Sequence, residues 1–299
     1  MKTKYLILPL FLLAACQQIE TEQPVLEEQV PQADTAWTVS IQAAKGEAQT
    51  KALDLTNGNN HLDSYWKSGE TVALYKAGAL LGTLSVTPNA GEKPTTATLG
   101  GKFTATGLAV NDNLMLLFPR ATWDYTGQTG VLTGENSIEK KYAYAADYDV
   151  KVGAIDGNAV TTEAATFYNE QSIYRFSFLN GSSPLSVKGY TITAANGKLV
   201  QSRAYTTNWT STYGAITVTP ASATSDPLYV SLRNESTAAD SYSFLITGSD
   251  DQLYMAVKNI PASVLNGPGK FIGAQSISTS KADFSPAASG TVSSSANIL

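Results

Sequence analysis

Cysteine is almost missing: Cys16 is the only one in 299 residues, so no intrachain disulfide and no multi-cysteine metal site can form. Histidine is as scarce. With His61 alone, a His-centred triad has one candidate and a multi-histidine metal site has none. His61 lies in "NGNNHLDSYW", which reads as a polar surface loop. Charged residues make up 15% of the chain and the net charge is -5, so there is no basic footprint for nucleic acid. No apolar run is long enough to span a bilayer, and no G-x-S-x-G elbow, Walker loop or dinucleotide fingerprint occurs. These absences argue against an enzyme and leave no implied metal or cofactor.

The chain starts with a basic pair, Lys2 and Lys4, followed by an apolar stretch that ends in Leu13-Ala14-Ala15-Cys16. That is the layout of a secretory leader. The placement of Cys16 directly after small residues resembles the bacterial lipoprotein signal. Residues 1–15 would then be removed and Cys16 would become an acylated N-terminus. The alternative is a plain secreted protein with an incidental cysteine. Residues 17–36 are polar and acidic (Glu20, Glu22, Glu27, Glu28, Asp34) and read as a solvated tether.

Beyond the tether, apolar and polar residues alternate with period two and no 3.6-residue stripe persists, which predicts an all-β fold. The first half offers "TVALYK" (71–76), "LGTLSVT" (81–87), "NLMLLF" (113–118) and "KYAYAADYDVKVGAI" (141–155). The second offers "SIYRFSFL", "YTITAANGKLV", "GAITVT", "PLYVSL" and "YSFLITGSDDQLYMAV". Asn57-Gly58, Asp156-Gly157, Asn180-Gly181, Asn196-Gly197 and Asn266-Gly267 mark turns. Asn196-Gly197 is the strongest hairpin signal. Short strands with frequent turns favour two β-sandwiches, divided near 159–166.

Chemistry-bearing clusters are few. Asp147 and Asp149 in "DYD" share a strand face and read as exposed, and "GSDD" with Asp250 and Asp251 reads as a hairpin turn. Trp123, Tyr125 and Trp209 (with Tyr213) are candidates for a sugar-stacking platform on exposed loops.

At the N-terminal end, "WTVSIQAA" sets Trp37, Val39, Ile41 and Ala43 on one face, opposite Thr38, Ser40 and Gln42, and predicts a half-buried strand. The polar "KGEAQTK" that follows is the kind of segment proteases reach. A cut there would discard a strand that the domain has already used and leave an open edge. At the other end, the even positions of 284–299 include Phe284, Ala288, Val292, Ala296 and Ile298, and the odd ones are mostly Ser, Thr or Asn. Either this is a donor strand or it is a frayed tail, the latter favoured by Pro286 and Gly290.

A lipoprotein leader, a tether, a first strand, a basic residue near position fifty and two β-rich halves, with "TKALDL" (50–55), "WKSGETVALYKAG" (66–78) and "LLFPRATWDY" (116–125), resemble in that order the fimbrillins of Bacteroidota, the type V pilins. The resemblance implies two transthyretin-like β-sandwiches in tandem: a propeptide with tether at 16–51, an N-terminal sandwich at 52–162 and a C-terminal one at 163–299. It further implies export to the outer membrane as a lipoprotein, proteolysis between Lys51 and Ala52 (with Lys45 as the other candidate), and assembly with like subunits by strand addition. Many relatives carry Arg where this chain has Lys51. Stalk, tip and anchor roles stay open, as does a monomeric surface lipoprotein that binds glycans or a host ligand.

Overall fold

The computed structural model describes residues 35–46, 53–56, 61–265 and 269–282. The leader, Cys16, the tether up to residue 34, Lys51, Ala52, the Asn57-Gly58 and Asn266-Gly267 turns, and the whole of 284–299 lie outside the described residues; Thr35 and Ala36, read as the end of the tether, already belong to the first strand. The fold is all-β. In chain order the first half contains β1 (Thr35–Lys45), β2 (Leu53–Thr56), β3 (His61–Ser64), β4 (Thr71–Lys76), β5 (Ala79–Pro88), β6 (Thr96–Ala105), β7 (Asn113–Phe118), β8 (Thr122–Asp124), the short helix α1 (Ile138–Lys141), β9 (Ala145–Asp156), β10 (Ala159–Thr162) and β11 (Ala165–Asn169). The second contains β12 (Ser172–Asn180), β13 (Ser183–Pro184), β14 (Val187–Ala194), β15 (Val200–Tyr205), β16 (Trp209–Tyr213), β17 (Ile216–Val218), β18 (Leu228–Leu232), β19 (Asp240–Gly248), β20 (Leu253–Ile260), α2 (Ala262–Leu265) and β21 (Phe271–Lys281).

The first sheet closes on itself. Its antiparallel path runs β6-β5-β4-β7-β9, and β9 then pairs with both β10 and β11. β1 pairs with β6 on one side and with β10 and β11 on the other, so it is the strand that completes the ring. Full closure leaves no open edge along β1 or β6. Alternation drives the inward-facing residues together: Val39, Ile41, Trp66, Leu74, Leu99 and Phe167 are all buried in one cluster.

The second sheet runs β13-β12-β21-β20-β19-β14-β17, with β18 added against β12. Among the described residues of this sheet, β12 and β21 alone pair in parallel. It wraps an aromatic core in which Phe176, Phe178, Tyr190 and Phe244 meet edge-on or tilted, the geometry that ring quadrupoles favour. This core also takes in Ala73, Tyr75, Leu117 and Ala146 from the outer face of β4, β7 and β9. A third, three-stranded sheet, β16-β15-β8, joins a strand of the first half to two of the second. Buried Gln128 adds a further tie: its amide donates to the carbonyls of Tyr125 (2.8 Å) and Ser231 (2.7 Å) and accepts from the Ser231 N–H (2.8 Å).

Several local expectations are corrected. Asn196-Gly197 does form a turn, with Gly197 at φ 65° and Asn196 Oδ1 accepting from the Lys198 N–H at 2.7 Å. The flanking strands do not pair, however: β14 joins β17 and β19, and β15 joins β16 and β8. Turn chemistry fixes the chain reversal but not the partner. Residues 141–144, expected to begin a strand, lie outside β9: Lys141 ends α1, Tyr142 is its C-cap, and Ser137 caps its start by accepting from the Lys140 N–H at 3.2 Å. The segment 159–166, read as a divider, supplies β10 and the start of β11 to the first sheet. His61 begins β3 opposite Thr56 and is not in a loop. "GSDD" is a hairpin turn between β19 and β20, with Asp250 accepting from the Gln252 N–H (3.1 Å) and the Tyr254 hydroxyl (2.9 Å). Asp147 is half-buried and accepts from the backbone N–H groups of Asp149 (3.1 Å) and Thr166 (2.6 Å), which gives it a structural role.

Candidate functional site: β1 and the groove it fills

β1 is held antiparallel to β6 through ten residue pairs, from Thr35↔Ala105 to Ala44↔Thr96. On its other side it runs parallel to β10 (Thr38↔Ala159 to Ser40↔Thr161) and to β11 (Ala43↔Ala165 to Lys45↔Phe167). Val39, Ile41 and Ala43 are buried, and Thr38, Ser40 and Gln42 are exposed. Trp37 is half-buried and packs on the same core, with its indole N–H donating to Ala105 O at 3.0 Å.

Both ends of the strand are tied. The Thr38 N–H donates to Asn158 O (2.8 Å), and the Asn158 amide donates to Ala36 O (2.7 Å). At the far end the N–H groups of Lys45 and Gly46 donate to Thr95 O (3.0 Å) and Phe167 O (2.9 Å). The Lys45 ammonium lies 4.0 Å from the centre of the Trp66 ring and 5.2 Å from that of Phe118, a cation–π arrangement. A Cβ on Gly46 would fall 2.9 Å from the Tyr168 ring and 3.1 Å from Phe167 O, so the chain leaves β1 through a gap sized for glycine.

The expected aromatic platform is absent. Trp123 and Tyr125 are fully buried, and Trp209 is half-buried. Pairing of β8 with β15 turns Trp123 inward, where its indole donates to Arg120 O (2.7 Å) and its ring lies 4.1 Å from that of Trp209. The Arg203 guanidinium covers Trp209 at 4.3 Å. These rings are core of the joint between the halves and present no stacking face to a sugar.

The same joint holds a charged cluster that no sequence signal announced. Glu170 accepts from Tyr148 (2.8 Å) and from Arg233, and pairs with Arg203 (3.5 Å). Glu235 accepts from Tyr213 (2.6 Å), Ser211 (3.1 Å) and Arg233 (3.1 Å). Burial alone would raise the Glu235 carboxyl, but these hydrogen bonds and the charge of Arg203 hold it below the usual carboxylate range. Its members come from positions 148, 170, 203, 213, 233 and 235, too scattered for any motif. Among the described residues, no group of three or more His, Cys, Asp or Glu side chains is arranged to hold a metal ion.

No family model matches this sequence, and no curated protein matches it. Solved structures are similar at low identity. A candidate cell adhesion protein from Bacteroides fragilis NCTC 9343 shares 14% identity, covering 82% of this chain and 96% of that one, with a TM-score of 0.42. Another from Bacteroides uniformis ATCC 8492 shares 13%, covering 83% and 98%, with a TM-score of 0.41. The tip fimbrial protein Mfa3 from Porphyromonas gingivalis, truncated at its C-terminus, shares 9%, covering 75% and 81%, with a TM-score of 0.34. Likeness at this level leaves the function to be argued from the chain itself.

Proposed function

We propose that the protein is a structural subunit of a surface fimbria, exported as an outer-membrane lipoprotein through Cys16, cut after Lys51 and joined to like subunits by strand addition. The observation that carries this reading is the position of β1. It completes a closed ring, yet it lies wholly N-terminal to Lys51, so one cut makes it a separate piece held only by its ladders and its buried face. Departure of β1 would leave the backbone groups of β6, β10 and β11 unpaired along a groove floored by Leu99, Trp66 and Phe167. Such an edge is a template for another strand.

A segment of a neighbour's 284–299 supplies that strand in this reading, with Val292, Ala296 and Ile298 among its inward groups and Phe284 and Ala288 ahead of them. Burying Val292 and Ile298 contributes roughly 1.5–3 kcal/mol each at full burial, and each ladder hydrogen bond adds about 1 kcal/mol net. A head-to-tail contact of this kind does not close, so it builds filaments. The role is structural rather than catalytic, and the apolar alternation of 284–299 favours a stalk position over a tip or anchor. The backbone of Lys45 and Gly46 is engaged in β1, which favours Lys51 over Lys45 as the cut.

The test is limited trypsin treatment of the purified precursor, followed by size-exclusion chromatography and electron microscopy. Ladders or fibres are expected from the cut protein, and monomers alone from Lys51→Ala with Lys45 also replaced, or from a chain lacking its last eight residues. Fibres from either variant would overturn the mechanism.

A further inference from the structure

The second sheet presents an outer face with an unusual composition. On β19 the outward positions are Ser241, Ser243, Leu245 and Thr247, and on β20 they are Leu253, Met255, Val257 and Asn259. None is charged, in a chain whose net charge is -5. Leu245 stands directly opposite Met255, and Val257 is opposite Ser243. Their exposures are 45%, 47% and 68%, so three large apolar side chains form one contiguous stripe in water. Scattered single hydrophobes need no explanation, but a contiguous stripe on an uncharged sheet face marks a surface that something covers.

The position where the described chain stops indicates what that is. Ser280 of β21 pairs opposite Met255, and the Ala282 N–H donates to Leu253 O at 2.8 Å. The chain therefore passes residue 282 beside Leu253, one pleat from Met255. Phe284, a large apolar residue, follows two positions later, and no residue of 284–299 is charged. The seventeen residues after Ala282 can reach about 55 Å when extended, about twice the length of an eight-residue strand such as β20. Ser285-Pro286 supplies turn chemistry at the point where the segment would have to fold back.

We infer that, in the unassembled chain, 284–299 folds back at Ser285-Pro286 and packs across the outer face of its own second sheet, with Val292 over the Leu245–Met255 pair and the later apolar residues along Val257. The contact is between side chains on a sheet face and needs no free edge. It is a property of the free monomer and stands whether or not the protein assembles into fibres. In the fimbrial reading the same segment would leave this face before joining a neighbour.

The test uses full-length monomer carrying Cys16→Ser, with paired cysteines at Ser243→Cys and Ser294→Cys; Ser243 faces outward opposite Val257. Under mild oxidation this pair is expected to form an intramolecular disulfide about tenfold faster than the same pair in a chain that also carries Leu245→Ser and Met255→Ser, because docking raises the effective concentration of the two thiols while the tether is unchanged. Equal rates in the two chains would mean an undocked tail, and cross-linking confined to dimers would mean that a second copy covers the face; either result overturns the inference. Binding of 8-anilinonaphthalene-1-sulfonate gives an independent readout without cysteines. It should rise severalfold in a chain ending at Ala282 and fall back when Met255→Ser and Val257→Ser are added, whereas no rise on truncation also overturns the inference.

Discussion

If β1 is a structural strand of the first sheet, Ile41→Ala should be among the costliest single substitutions in the chain. Ile41 is fully buried, pairs opposite Leu99 on β6, and sits between Val39 and Ala43 in the same apolar row. The substitution removes three carbons. At about 0.8 kcal/mol per buried methylene the transfer loss is about 2.4 kcal/mol, and the cavity that neighbouring strands cannot fill brings the total to about 3–4 kcal/mol. Gln42→Ala on the same strand is the control. Gln42 is exposed, and its one side-chain bond, to Thr98 Oγ1 at 3.1 Å, is open to water, so its loss should cost about 0.5 kcal/mol or less. Urea unfolding of the intact precursor, followed by far-ultraviolet circular dichroism, measures both as shifts in midpoint at constant slope. Equal and small effects for the two variants would mean that β1 contributes little to the folded state, and the reasoning from its ladders would fail. A large Ile41→Ala effect accompanied by a changed slope would show that β1 unfolds apart from the rest.

Gln128→Ala should cost about 3 kcal/mol, read as a lowered thermal midpoint, because it strips partners from the buried Ser231 N–H and from two carbonyls at once. Gly130→Ala should destabilise by about 2 kcal/mol, since Gly130 has φ +80° and a Cβ there would lie 2.6 Å from Leu228 Cδ2; full wild-type stability would refute the steric argument. The folded-state pKa of Glu235 is lowered, so its contribution to stability is present above the ordinary carboxylate value of about 4.3 and is lost as pH falls through the depressed folded value. Glu235→Gln should therefore flatten the acid limb of a plot of thermal midpoint against pH, and an unchanged limb would remove the carboxylate from the joint's electrostatics.

Local patterning made the strands readable and hid the way they are joined. The inward row of β1 was legible because a strand with one wet face must alternate, and Trp37, Val39, Ile41 and Ala43 do so. Closure of the ring by β1 was not legible, because pairing with β10 and β11 spans more than a hundred residues and leaves no local mark. Asn196-Gly197 shows the same limit: two adjacent residues can fix a reversal, but the partners of β14 and β15 are set by distant apolar faces. The misplacement of Trp123 and Tyr125 has a related cause. Aromatic residues beside Pro119 and Asp124 look like a loop cluster until a second-half strand, β15, pairs with them and turns the rings inward. The Glu170–Arg233–Glu235–Arg203 cluster could not be read at all, since charges on three separate segments carry no spacing signal.

The groove itself contains a reporter for the fate of β1. Trp66 is 1% exposed, meets Phe118 and Phe167 edge-on with centroids 5.5 and 5.3 Å away, and is covered on one side by the Lys45 ammonium. Phe118 and Phe167 belong to β7 and β11 and stay with the ring, whereas Lys45 belongs to β1 and would leave with it. Loss of β1 should therefore wet one face of Trp66 without dismantling its aromatic packing, moving its fluorescence to longer wavelength while the protein stays folded. Trp37 lies on β1 itself, so the measurement is made with Trp37→Phe; Trp123 and Trp209 sit in the joint and contribute a constant background. After cleavage at Lys51, mild denaturant should produce the red shift well before circular dichroism reports global unfolding, and the uncut chain should show both changes together. Restoration of the original wavelength by a synthetic 284–299 peptide is expected if that segment fills the groove. If Trp66 keeps its buried emission after β1 has been separated from the rest by size exclusion, then β1 does not cover it and the vacated groove is not an open acceptor for another strand.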